Sequence, residues 1–417
     1  MAILTIESQN EYMSWVIFKN PNTQDESGVP FERPLRKGTI YGWYSDVNQF
    51  RLWFDQTEGE PSFYKNENNN YLNADKVLCS YAYCGIITNM LDATIKKVHE
   101  KDIVCKNKVT INTIWISNLH MANSFKKHLK SIDITMEPLG GKLHSVTFEG
   151  NTTLYYLLNA VMVFCLMQAL EDRRVFVDLT EPTIAKYAQC LNAIDAPYYL
   201  IYMFLSRCIS DYNLFKKVSE ALKKDNWKLS YGDTQRQRFS AIKKFFRSGA
   251  TLHDIGCGEL YYSSILSQNY KNVVAWDADK EIIERNKRYI AKKGLKNIEL
   301  RDAFSIDSLK DILDGSDILI TEMLEHISIE QANELLENLT KVNFSTLVIT
   351  VPNTTFNKHY LLEGMYRHLD HKWEPTYDES VELINKHFHN HEVKVEKVGD
   401  MVDGESVSTL FMIRKKH

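Results

Sequence analysis

"DILITEMLEHISIEQANELLENL", Asp317 to Leu339, opens as an unbroken apolar strand and continues with the periodicity of an amphipathic helix. At the junction stand Glu322, Glu325 and His326. If the helix starts at once, spacings of three and four residues put all three side chains on one face. They then lie at the end of a buried strand, where open α/β sheets bind their ligands. Two carboxylates and an imidazole can fill three positions around a divalent ion. They also suit a solvated first helical turn, because glutamates favour the positive end of a helix. On these residues alone both readings stand.

Working outward, strands and helices alternate from Arg236 to the C-terminus. "RQRFSAIKKFFRSG" reads as an amphipathic helix ending at Gly249, and "TLHDIGCGE" as a strand running into a glycine turn. "NVVAWDAD" is a strand, "KEIIERNKRYIAKKG" a helix closed by Gly294, and "IELRDAF" and "STLVITVPN" are further strands. "HEVKVEKVGD" and "SVSTLFMIRKK" can pair as a hairpin. This order predicts a mostly parallel sheet with helices on both faces.

The glycine turn "HDIGCGE" contains Gly256 and Gly258, which let the backbone turn tightly and approach a ligand. A bare G-x-G is common in purely structural turns. The following strand, however, ends in "AWDAD" and places Asp277 about 20 residues further on, where an acidic residue can hold ribose hydroxyls. A dinucleotide fingerprint needs a third glycine, and Tyr261 stands there instead. A cofactor with a ribose and no phosphate, such as S-adenosylmethionine, fits better.

The first half reads differently. "MAILTIES" and "VTINTIWISN" look like strands, while "LLNAVMVFCLMQALED" and "YYLIYMFLSRCISDYNLFKKVSEALKK" have helical periodicity. This half looks α+β and carries no compact catalytic motif. The polar, turn-rich "KKDNWKLSYGDTQ", Lys223 to Gln235, marks the boundary, giving domains at 1–230 and 231–417.

Bulk properties narrow the classes. A net charge of −4 over 417 residues gives no general sign of a nucleic-acid binder, although a local basic patch remains open. Seven cysteines, an odd number without a C-x-x-C pair, point to a reducing cytoplasmic setting rather than a disulfide framework. The N-terminus lacks the basic-then-apolar pattern of a signal peptide. "LYYLLNAVMVFCLMQAL" is short for a membrane span and is interrupted by Asn159 and Gln168, so it reads as a core helix and no membrane partner is expected.

A second polar segment bears on the junction. "YRHLDHKWEP", Tyr366 to Pro375, follows the strand "TLVITVPN" and can return over the same sheet end. It offers His368 and His371 as further ligands. The "HFHNH" histidines, His387, His389 and His391, read as a polar surface stretch. With "EMLEH", "VPN" and "DHKWE" in this order behind "QRFSAIKKFFRSGATLHDIGCGE", the second half resembles the metal-dependent RNA 3′-terminal 2′-O-methyltransferases that cap small RNAs. The likeness runs from about Gln237 to Asp378. Here Trp373 stands where the family has Phe, and Pro375 replaces its following Trp. More loosely, "MAILTIES" and "GKLHSVTFEGNTTLYYLLNAVMVFCLMQALEDRRVFV" resemble the N-terminal module of the bacterial, RNA-repair branch.

The resemblance implies an α/β chain: a class I, Rossmann-like, S-adenosylmethionine-dependent methyltransferase domain behind an α+β module that binds partners and activates a ligase. It implies that Glu322, Glu325, His326 and His371 hold a divalent metal, Mn²⁺ or Mg²⁺. His326 and His371 become the catalytic candidates. Asp254, Gly256, Gly258, Glu259 and Asp277 would hold the cofactor, with Asp302 and Ala303 near its adenine. The substrate would be the 3′ end of a cleaved, tRNA-like RNA, and the partners a polynucleotide kinase-phosphatase and an RNA ligase. Two other readings keep the fold: a small-molecule or protein methyltransferase without a metal, and a non-catalytic assembly subunit.

Overall fold

The computed structural model describes residues 2–21, 31–35, 38–55, 80–172, 177–302, 306–312, 314–362 and 364–416. The chain divides into two compact units, Met1–Leu222 and Lys223–His417. The division falls at the start of the polar stretch rather than at residue 230. One reason is that Trp227–Lys228 of that stretch already forms a strand of the second unit's sheet.

In the first unit β1 (Ala2–Ser8), β2 (Phe31–Leu35), β3 (Gly38–Asp46), β4 (Gln49–Asp55), β5 (Cys105–Trp115), β6 (Asp133–Gly140) and β7 (Leu143–Thr152) form one sheet in the order β2-β3-β4-β1-β5-β7-β6. Every pairing is antiparallel. Along β1 buried and partly exposed residues alternate, which leaves one sheet face to be covered. The helix Leu154–Glu171 packs on β5 and β7 and against the helices Ser80–Met90, Asp92–Lys96, Glu181–Ala193 and Tyr198–Cys208. It is long and apolar enough to span a membrane, yet 78% of it is buried within the protein. Thr153 caps its start, and Asp102 accepts from the backbone N–H groups of Leu154 and Tyr155, both at 2.9 Å. The stretch read as one helix from Tyr198 is two, Tyr198–Cys208 and Tyr212–Leu222, broken at Ile209–Asp211. Asp211 accepts from the Leu214 N–H and starts the second helix.

The second unit holds β8 (Trp227–Lys228), β9 (Gly249–Ile255), β10 (Tyr270–Trp276), β11 (Ile298–Arg301), β12 (Asp317–Thr321), β13 (Thr346–Pro352), β14 (His391–Val402) and β15 (Glu405–Lys415), ordered β11-β10-β9-β12-β13-β15-β14-β8. The five strands from β11 to β13 are parallel, and the β14–β15 hairpin adds antiparallel pairings at the other edge. Alternate residues of one strand feed opposite cores. Ile318 and Ile320 pack with Leu336, Leu339, Ile384 and Phe388, whereas Leu319 packs with Ile242, Phe246, Tyr262 and Leu266. Each such side chain contributes about 1.5–3 kcal/mol by leaving water. The chain leaves β9 toward β10 and β11 and returns on the other side of β9 as β12. The crevice at the carboxyl ends of β9 and β12 is therefore a topological switch point.

Two local expectations are corrected. The helix expected to run to Gly249 ends at Ile242, and Gly249 opens β9. A Cβ at Gly249 would lie 2.5 Å from the Tyr270 ring, so glycine there permits close pairing with β10. Nor does the α-helix begin directly after β12. Ser328 and Gln331 form a capping box that starts it at Ile329. Glu322, Glu325 and His326 thus lie in a tight turn ahead of the helix.

The two cores share the strands of one sheet. Residues 223–417 alone are therefore expected to melt in a single cooperative calorimetric transition, with an enthalpy near about 0.7 kcal/mol per residue. A broad, gradual loss of structure would contradict that independence.

Candidate metal and cofactor site

The turn after β12 is unusual from its first residue. Glu322 has φ +46°, in the left-handed region that few non-glycine residues occupy. Its N–H donates to the Thr350 carbonyl at 3.0 Å and contacts the Thr350 hydroxyl at 3.2 Å, so β13 holds the strained residue in place. A 3-10 turn, Leu324–His326, follows and aims Glu325 inward.

Glu325, His326 and His371 come together, with one potential ligand atom from each lying within 4.8 Å of the others. Glu325 is fully buried, and neither carboxylate oxygen has a hydrogen-bond partner among the described residues. Burial, and then the nearby Glu322 charge, push its carboxyl well above the ordinary range. The imidazoles of His326 and His371 meet edge to face at 4.6 Å. His371 is buried, while the His326 side chain is 36% exposed and forms the open side of the cluster.

The segment carrying His371 is fastened to the turn by backbone and side chain. Lys372 N–H donates to the Glu325 carbonyl at 2.8 Å, and the Trp373 indole N–H to the Ile327 carbonyl at 3.0 Å. His326 Nδ1 faces Asp370 at 3.0 Å, and His371 Nδ1 faces Glu374 at 2.5 Å.

Glu322 lies outside that threefold cluster. One of its oxygens pairs with Arg238 at 3.2 Å and accepts from the Ser408 hydroxyl at 3.3 Å; the other is buried without a partner among the described residues. Arg238 also donates to the Tyr262 hydroxyl at 3.1 Å. The buried Glu325 carboxylate, with both oxygens unsatisfied among the described residues, and the two imidazoles beside it form a donor set that a divalent cation fits.

The glycine turn abuts this cluster. Gly256 has φ +78°, and a Cβ there would lie 2.4 Å from Met323 Cγ, inside the carboxylate turn itself. Gly256 and Cys257 both donate to the Trp276 carbonyl, and Gly258 N–H donates to Asp277 at 2.9 Å. Beside Gly258 a Cβ would meet nothing within 4 Å, so the turn faces open space. Asp277 is therefore held at the rim of a cradle rather than loose at a strand end. Asp254 is fully buried: one oxygen accepts from Ser263 at 2.5 Å, and the other has no partner among the described residues. Burial raises its carboxyl to about 6 despite that hydrogen bond.

The family model described as the Hen1 N-terminal domain matches residues 3–227. The chain belongs to the Hen1 N-terminal domain family. No curated protein matches it. Two solved structures resemble it over 99% of its length and the whole of their matched chains, at 22% identity each. They are described as "Structure of the Pnkp1/Rnl/Hen1 RNA repair complex", TM-score 0.79, and "Structure of Pnkp1/Rnl/Hen1 complex", TM-score 0.77. The likeness shows a shared fold in both units, the second a Rossmann-like sheet and the first the α+β module.

In this Hen1-family chain Gly256, Gly258 and Asp277 share one cradle with Asp254 beneath it. Glu259 is exposed beside Arg285, 3.7 Å away, and Asp302 is exposed just after β11. Ala303 lies outside the described residues. His368 meets His371 edge-on, with ring centroids 5.1 Å apart, but is not in the ligand cluster. His387 and His389 bond locally to Asn333 and Lys386, and His391 stacks on Phe344. Sequence reasoning missed Arg238, hidden inside an ordinary amphipathic helix pattern. It also left Asp370 and Glu374 without roles, although both stood in the quoted "DHKWE".

Gly256→Ala is expected to cost about 1–3 kcal/mol from the left-handed φ, with the Met323 clash in addition. The melting temperature of the double variant with Met323→Ala should recover only the part of the clash due to the side chain beyond Met323 Cβ, which itself stays 2.8 Å away. Asp254 binds its proton more tightly folded than unfolded. Its contribution is therefore complete below pH 4 and lost as pH rises through about 6, a swing on the order of 3 kcal/mol. Asp254→Asn should accordingly melt higher than wild type at pH 8 and show little gain at pH 4, as measured by thermal scans at both values.

Proposed function

We propose that the chain methylates the 2′-hydroxyl of the 3′-terminal nucleotide of RNA, using S-adenosylmethionine and a divalent metal. The observation that carries this reading is Glu325: a fully buried carboxylate, unpartnered at both oxygens among the described residues, facing two imidazoles beside a glycine cradle. An ordinary methyltransferase cradle needs no such group, and an assembly subunit has no use for it.

A divalent cation would be held by Glu325, His326 and His371, with Glu322 close enough to Glu325 to raise its carboxyl. When bound, it lowers the pKa of a coordinated hydroxyl and grips vicinal oxygens. The chain's own residues do the rest. Gly258 and Asp277 present a cradle in which the Asp277 carboxylate can accept from ribose hydroxyls. The contact between Gly256 and Met323 fixes the spacing between that cradle and the carboxylate turn, so methyl donor and acceptor are held in register. The exposed edge of His326 leaves a way in for an RNA end. Only a free 3′ end carries two vicinal hydroxyls, so recognition by chelation would exclude internal riboses.

The solved assemblies that the chain resembles join Pnkp1, Rnl and Hen1 in RNA repair. We assign the first unit the corresponding part here: docking onto a polynucleotide kinase-phosphatase and an RNA ligase, in the cytoplasm. Methylation would then follow removal of any terminal phosphate by the kinase-phosphatase. Two imidazoles with carboxylates favour Mn²⁺ over Mg²⁺, which prefers an all-oxygen shell.

Methyl transfer to RNA with a free 3′ end is expected to stop in excess chelator and return best with Mn²⁺. RNA ending in a 3′-phosphate or a 2′,3′-cyclic phosphate should stay unmethylated. Undiminished activity in chelator, or equal methylation of blocked and free ends, rejects this function.

A further inference from the structure

Both histidines of the cluster turn Nδ1 toward a carboxylate, through a hydrogen bond at His371 and a charge contact at His326. His326 Nδ1 faces the Asp370 carboxylate at 3.0 Å, and His371 Nδ1 faces the Glu374 carboxylate at 2.5 Å. A neutral imidazole has one N–H and one lone pair, and a carboxylate at one nitrogen requires the N–H to be there. We infer that Asp370 and Glu374 are positioning residues that set both histidines as Nδ1–H tautomers, leaving each Nε2 lone pair to a cation beside Glu325. This rests on the metal reading above and names the residues that make the centre competent.

The two carboxylates are anchored to different degrees. Glu374 is fully buried as a side chain. It also accepts from the Arg367 backbone N–H at 2.7 Å and from Asn357 Nδ2 at 2.6 Å. Arg367 in turn donates to Asn357 Oδ1 and to the carbonyls of Asn353 and Val407, beyond β13 and within β15. The orientation of His371 is thus tied to the ends of two core strands. Asp370 is 70% exposed and has no comparable side-chain support among the described residues, so its hold on His326 is the weaker of the two. One pentapeptide, Asp370 to Glu374, therefore carries one candidate ligand, both carboxylates that orient the imidazoles, and two hydrogen bonds that lock it to the Glu325 turn. Carboxylates behind metal-bound histidines commonly govern affinity by 10–100-fold.

The full chain, free of metal and labelled with ¹⁵N-histidine, tests the tautomers directly. Long-range ¹H–¹⁵N spectra at pH 8 should show His326 and His371 as Nδ1–H forms. Mn²⁺ titration followed by electron paramagnetic resonance then reads the consequence without any reaction. Glu374→Ala should weaken Mn²⁺ binding by about 10–100-fold, Glu374→Gln by less, and Asp370→Ala by a smaller factor still. Asp370 is exposed, so its variant keeps the wild-type melting temperature and remains informative if Glu374→Ala unfolds. Nε2–H tautomers, or wild-type Mn²⁺ affinity in both alanine variants, overturn the inference while leaving the metal centre standing. A wild-type chain that takes up no Mn²⁺ overturns the metal centre and this inference together.

Discussion

A buried carboxylate without a hydrogen-bond donor is among the costlier arrangements a protein can hold, and among the described residues Glu325 has two oxygens in that state. Much of the second unit's irregular backbone is organised around it. The left-handed Glu322 directs the chain out of β12, the 3-10 turn carries Glu325 inward, and the Ser328 capping box delays the helix until the turn is complete. Burial, and then the nearby Glu322 charge, push the Glu325 carboxyl well above the ordinary range. A cation beside it would be attracted strongly, because little water is present to screen the charge. The strain at Glu322 and the burial of Glu325 run against stability, and such departures concentrate at functional sites.

The parallel sheet and its switch point were legible because their signals are local and redundant. Apolar runs such as "DILIT" and "TLVITVP" admit few readings when strands and helices alternate around them. Gly256, Gly258 and Asp277 followed from that order, since a glycine turn and an acidic strand end are recognisable at fixed positions. Glu325, His326 and His371 were legible as chemical types, and the geometry first inferred for them was wrong. A helix face gives the same i, i+3 and i+4 spacing as a tight turn followed by a capped helix. The capping residues Ser328 and Gln331 were present in the sequence and distinguish the two.

What was not legible depended on contacts distant in sequence. Arg238 reaches Glu322 across more than eighty positions, and nothing in "RQRFSAI" marks one arginine as different from its neighbour. Gly249 was read as a helix stop because glycine often ends helices. Its actual role, close approach to Tyr270, is visible only once β9 and β10 are paired. Glu374 stood beside a named ligand, but its carboxylate gained meaning only when Asn357 and Arg367 were seen to hold it.

The helix Leu154–Glu171 has a consequence for how the chain is made. It is apolar on every side, so no face of it is content in water. During synthesis it emerges after the strands and helices that precede it, which can cover part of its surface. Two of the helices that complete its coat, Glu181–Ala193 and Tyr198–Cys208, come later. Until the chain has left the ribosome as far as Cys208, a greasy rod stays open to chaperones or to other nascent chains. The first unit can close only as its last helices arrive, just before the second begins to be translated.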